Sequence, residues 1–132
     1  MPTHTATTGY DRYRQTHVEA SLGHASPLQM VIMLTDGLLD EFERLRGHIA
    51  NRRFEAKAQS ISRCLAILVG LECALDEEAQ SEPVRQVAEL YQYCRALVGQ
   101  AGVELSTVPL DRARMLMTAL RDAWRSALKE GR

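Results

Sequence analysis

From position 26 onward, apolar residues return every three or four places, in four separate blocks. That spacing is the pattern of amphipathic helices. The first block opens at Ser26-Pro27. A serine hydroxyl can cap the free amides of a first turn, and proline loses no hydrogen bond at the first helical position. Val31, Leu34, Leu38, Phe42, Leu45 and Ile49 then share one face, widened by Met30 and Met33, and this helix is predicted to end near Asn51. The second starts around Phe54, with Ala58, Ile61, Leu65, Leu68 and Leu75 as its stripe and Ile67 and Leu71 beside it. Asp76-Glu77-Glu78 belongs to the loop beyond it, since negative charge is unfavourable at a helix C-terminus. The third follows Ser81 and Pro83 and carries the most regular repeat: Val84, Val87, Tyr91, Cys94, Val98 and Ala101. Gly102 reads as its stop. The fourth opens near Thr107 and Pro109, with Ala113, Met117, Leu120, Trp124 and Ala127 or Leu128 on one face.

No strand-like alternation interrupts these blocks. Four helices joined by short loops predict an all-α fold, an antiparallel four-helix bundle over residues 25–132. Residues 1–24 begin Thr-rich and are weakly patterned, which predicts a flexible N-terminal segment, an arm or a short helix.

Composition narrows the function by exclusion. Sixteen Lys and Arg nearly cancel 17 Asp and Glu, for a net charge of −1, and no basic stripe stands out. Nucleic acid is therefore a poor first partner. No apolar run is long enough for membrane insertion, and residues 1–9 lack a secretory layout, so a cytoplasmic location is expected. Cys64, Cys73 and Cys94 are odd in number and show no Cys-x-x-Cys spacing; they read as small apolar fillers rather than a disulfide, redox or zinc set. A di-iron bundle needs Glu-x-x-His pairs, and none occurs. Ser60 and Ser62 have no His nearby in sequence, and the glycines are isolated, so neither a catalytic triad nor a phosphate loop is indicated. The expectation is a non-enzyme with no metal and no cofactor.

What remains is apolar surface. Leu28, Ile32 and Leu39 lie off the main stripe of the first helix, and Ile67 and Val69 off that of the second. Met30, Met33, Met115 and Met117 are adaptable side chains of the kind used to hold varied helices. Helices apolar over so much of their circumference need cover on both sides. A groove filled by the N-terminal arm, by a second copy or by a client helix is one reading; a wide core stripe is the other.

Five short motifs then carry a resemblance. Tyr10-Asp-Arg-Tyr13 lies upstream of Val18; Ala25-Ser26-Pro27 precedes Met33-Leu34-Thr35-Asp36-Gly37; Ile67, Leu71 and Leu75-Asp76 close the second block. Leu90-Tyr91-Gln92-Tyr93 and Leu120-Arg121-Asp122-Ala123-Trp124 follow on the third and fourth. In order and spacing the chain resembles the FliS family of flagellar secretion chaperones over residues 10–124. It departs at Thr35, where the family has an aromatic residue, at the absent Gly-Gly before the third helix, at Gly102, and in the spacing from Val18 to Ser26. Thr35 and the loop positions are expected to lie outside the main stripes.

The resemblance implies a flagellin export chaperone. Its client would be the disordered C-terminal segment of flagellin, which folds into short helices in apolar grooves, is kept from early polymerisation, and passes to the flagellar export gate. A self-associating structural or regulatory bundle, such as a homodimer, is the alternative. For client contact the resemblance and the off-stripe faces point to Tyr10 and Tyr13 on the arm, Ile32 and Met33, Asp36 and Gly37, and Tyr93. Tyr91, on the repeat, is expected in the core, and Trp124 as a core anchor.

Overall fold

The computed structural model describes residues 26–75 and 81–131. Tyr10, Tyr13 and the whole arm lie outside them. The described residues form four helices: α1 (Pro27–Ala50), α2 (Phe54–Cys73), α3 (Glu82–Glu104) and α4 (Val108–Glu130). Each packs on its neighbour in sequence, and α4 closes against α1, giving a four-cornered bundle. Cross-links fix the directions. Asp36 meets Arg121, Glu43 meets Arg114 and Arg46 meets Asp111, so rising positions on α1 face falling positions on α4. Lys57 reaching Gly102 and Glu72 reaching Arg95 show the same reversal between α2 and α3.

The helix starts follow the cap chemistry. Ser26 and Gln29 form a reciprocal capping box, each side chain bonded to the other's backbone amide, with Pro27 at the first helical position. The Ser81 hydroxyl accepts from Val84 N at 3.3 Å. At α4 the predicted Thr107 makes no side-chain cap bond; Ser106 Oγ accepts from Val108 N instead. The α1–α2 and α3–α4 turns each rest on a non-glycine residue in the left-handed region, Arg52 at φ 56° and Leu105 at φ 53°.

The core is continuous. Leu38, Phe42 and Leu45 from α1 meet Leu68 and Leu71 from α2, Tyr91 and Val98 from α3, and Leu110 and Met117 from α4. Four sequence expectations need correction. Thr35 is fully buried rather than outside the stripe, because its hydroxyl donates to the Val31 carbonyl at 2.7 Å and needs no solvent. The buried face of α2 is Ser60, Cys64, Leu68 and Leu71; Leu68 is inward as expected, but Ala58 is exposed and Ile61 and Leu65 are half-buried, with Ser60 and Cys64, one position before each of the latter two, turned inward instead. Cys64 and Cys94 do fill the core, but Cys73 is exposed at the end of α2. Gly102 is no stop.

Gly102 lies inside α3, fully covered, and α3 continues to Glu104 before Leu105 turns the chain. A Cβ at Gly102 would meet Ile61 Cδ1 at 2.4 Å. The glycine therefore lets α2 and α3 approach closely, and its carbonyl takes a hydrogen bond from Lys57 Nζ at 2.8 Å. Gly102→Val should destabilise the bundle by about 1–3 kcal/mol in denaturant unfolding, the usual cost of overpacking. Combined with Ile61→Ala, which opens room, it should cost less than the sum of the two single changes; strict additivity would separate the two sites.

Candidate interaction surface

The polar residues of the bundle work mainly at its seams. Glu41 is buried on α1, and three donors converge on its carboxylate: Ser60 Oγ at 2.6 Å, Arg44 at 2.9 Å and Arg63 at 3.1 Å. Ser60 and Arg63 come from α2, so this cluster bolts α1 to α2. Along the α1–α4 seam, Arg46 makes a two-pronged contact with Asp111 at 2.9 and 3.3 Å. Farther up the seam Asp36 receives Arg121 at 3.3 Å and Arg125 at 3.2 Å. Asp36, expected as a client contact, thus serves as a strut between helices, and Gly37 beside it is half-buried.

The other expected contacts separate by exposure. Ile32 is buried, at 8% exposure, though it stands outside the core cluster that Leu38, Phe42 and Leu45 join. Met33 is half-buried. Tyr93 is 45% exposed, while Tyr91, two residues earlier, is wholly enclosed. Burial pushes the Tyr91 hydroxyl up to about 12, with the Trp124 indole acting in the opposite direction. Trp124 itself is only half-buried.

The apolar surplus lies elsewhere than on α1. Val108 is 71% exposed and Met115 67% exposed, and both stand on one outward face of α4 with Ala119. Val108, Arg112, Met115, Thr118 and Ala119 line a shallow open depression there. Arg112 reaches across to the Tyr93 hydroxyl at 3.5 Å, which brings the α3 aromatic to the edge of the same surface. Such a strip, apolar along its middle and bordered by Arg112, Arg114 and Asp122, can seat the apolar face of a short helix. Sequence reasoning singled out Tyr93 and Met115 but passed over Val108, which stands at the helix start it placed near Thr107 and Pro109 and off the stripe it followed. The i and i+7 spacing of Val108 and Met115, away from Ala113, Met117 and Leu120, is the signal the sequence held.

Reactive chemistry is weakly provided for. Among the described residues no three His, Cys, Asp or Glu side chains gather as a metal set. Burial raises the Cys64 thiol to about 12 and the Cys94 thiol to about 11, which leaves both as neutral thiols. No helix among the described residues is long and apolar enough to cross a membrane.

Two measurements check the seams. Glu41→Ala leaves Ser60 without its acceptor and should cost about 1–3 kcal/mol in denaturant unfolding, with Glu41→Gln milder because it keeps an acceptor. The second is pH. His48 is held below its ordinary value, first by burial and then by the Arg53 guanidinium. The unfolded chain binds that proton more readily, so stability present above the ordinary histidine range is lost as pH falls through it. Glu72 is held low by Gln92 and Arg95, and Asp111 by Arg46, so their contribution is present above the ordinary carboxylate range and is lost at still lower pH. The melting temperature should therefore drop in two stages on acidification, and His48→Gln should flatten only the first.

Comparison with known proteins relates the whole of this bundle to one family. The family model for the flagellar protein FliS matches residues 8–131. The chain is 31% identical over 124 residues to the flagellar secretion chaperone FliS of Escherichia coli, covering 93% of this chain and 91% of that protein. It is 29% identical over 118 residues to the flagellar secretion chaperone FliS of Salmonella typhimurium, covering 89% and 87%. With the flagellar secretion chaperone FliSB of Pseudomonas aeruginosa it shares 27% over 113 residues, covering 86% and 90%.

Proposed function

The chain belongs to the flagellar protein FliS family, and we propose that it is a flagellin export chaperone that works in the cytoplasm. It binds the disordered C-terminal segment of flagellin, prevents premature polymerisation, and assists delivery to the flagellar type III export gate. The observation that carries this reading is a family match running through all four helices, on a bundle that leaves a strip of apolar surface uncovered.

The physics of the strip supports the role. A disordered segment that folds on contact can bury ~1,000–3,000 Å² while several kcal/mol go into ordering it. The result is a specific complex that still dissociates. Tyr93, with Val108 and Met115, offers anchors for apolar client side chains; Met33 lies near the surface of α1, and Ile32, Asp36 and Gly37 shape the bundle beneath the client. Tyr10 and Tyr13, on the arm, compete for a groove when the client is absent. The exposed face of α4 also favours a second reading, in which two copies cover the strip between them as a homodimer.

Mixed with a flagellin C-terminal peptide, the full chain should form a one-to-one complex with helical circular-dichroism signal beyond the sum of its parts. Absence of binding at tens of micromolar, with a dimer in sedimentation, would favour self-association. Val108→Glu with Met115→Glu should weaken the client complex by about tenfold or more, as hot-spot loss does, and leave the melting temperature within a few degrees. Deleting residues 1–24 should leave the bundle folded and change client affinity; unfolding would make the arm part of the core.

A further inference from the structure

The bundle treats its positive charges in two ways. Arg46, Arg63, Arg95, Arg114, Arg121 and Arg125 each meet a carboxylate on another helix. At the α1–α2 turn, three cations, Arg52, Arg53 and Lys57, make no such pair among the described residues. Arg52 lies over the Phe54 ring at 5.9 Å, and Lys57 over the same ring at 5.8 Å. Lys57 also donates to the Gly102 carbonyl at 2.8 Å, and Arg53 Nε donates to His48 Nδ1 at 3.1 Å. Every partner is neutral, and among the described residues none of the three cations forms an ion pair. The other described cations without one, Arg112 and Lys129, lie singly on α4, Arg112 against the Tyr93 hydroxyl.

The same turn exposes its aromatic ring. Phe54 is 52% exposed, and Val103, next to the Gly102 that anchors Lys57, projects into solvent. Glu55 and Glu104 are the acidic residues flanking the corner, and Glu104 is taken up by Gln100 at 3.0 Å. The cations are held in place by neutral contacts while their charge is left unspent, beside an apolar ring that solvent does not favour. We infer that the corner formed by Arg52, Arg53, Phe54 and Lys57 is a docking site for an acidic polypeptide segment that carries an apolar side chain, separate from the α3–α4 strip. A carboxylate on such a segment replaces the missing ion-pair partners, and its apolar residue covers Phe54. Charge complementarity chooses this occupant: the α4 strip mixes both signs in equal measure, whereas this corner gathers three cations, against Glu55 and Glu104, and none of the three is in an ion pair among the described residues.

The probe is a fluorescein-labelled peptide of alternating Glu and Leu, titrated into the full-length chain and read by anisotropy, with a Gln–Leu peptide and phosphatidylglycerol vesicles as parallel arms. Saturable binding of the Glu–Leu peptide is expected, weakening as salt rises because the charges are near the surface. Arg52→Glu with Lys57→Glu should weaken it by about tenfold, or ~1.4 kcal/mol, while Arg52→Lys should retain it. A bound carboxylate beside Arg53 should also raise the titration midpoint of the His48 ring in NMR spectra. Equal binding of the Gln–Leu peptide, vesicle binding in place of peptide binding, or an unchanged affinity in the folded double variant would overturn the proposal. The double variant should still bind the flagellin C-terminal peptide, so loss of this corner and failure of the chaperone reading give different results.

Discussion

Burial of one stripe from each of four helices in a shared core is the constraint from which the structure follows. In a four-cornered bundle each helix has two close neighbours. A stripe at three- and four-residue spacing faces the core between them. α1, between α2 and α4, turns Thr35, Leu38, Phe42 and Leu45 inward. Surplus apolar surface arises where a residue points away from both neighbours, as Met115 on α4 does.

Given that closure, polar residues set the register. Apolar packing tolerates sliding, since one leucine resembles the next. A buried carboxylate does not, because desolvation is costly unless its donors are in place. Glu41 meets Ser60 and Arg63 only in one alignment of α1 and α2. Asp36 meets Arg121 and Arg125, and Arg46 meets Asp111, only in one alignment of α1 and α4. The exposed pairs contribute little energy individually; their repeated spacing down one seam discriminates against shifted packings. Gly102 adds a steric condition between α2 and α3, since a side chain there meets the end of Ile61, which must turn aside.

This division explains what the sequence disclosed. Helix starts at Ser26-Pro27 and Ser81 were readable because capping is local chemistry, complete within four residues. The core placement of Tyr91 and Met117 followed from periodicity. Thr35 was misplaced because polarity alone marked it as outside, while its hydroxyl is satisfied by its own helix. Gly102 was misread because a stop and a close approach use the same residue, and only the position of Ile61 distinguishes them. The Asp36 ion pairs span 85 and 89 positions, beyond any pattern along the chain. For the candidate surface, the exposure of Tyr93 followed from its face on α3, that of Val108 was not anticipated, and the low exposure of Ile32 was not visible in its off-stripe position. Tyr10 and Tyr13 lie outside the described residues.

A chaperone must hold its client strongly enough to cover it and weakly enough to release it, and in the role proposed for it the α3–α4 strip suits both demands. The strip is shallow and open, so a client segment folded there would gain apolar burial and stay partly wet at its edges. Its rim carries both signs of charge, which adds little net attraction at physiological salt. Affinity then depends on area and on ordering cost, and both can change by steps as client helices peel away one at a time. A deep pocket or a dense array of buried ion pairs would lack that property. The bundle keeps its dense polar contacts for its own seams, where permanence is useful, and the proposed client surface holds the kind of contact that can be undone.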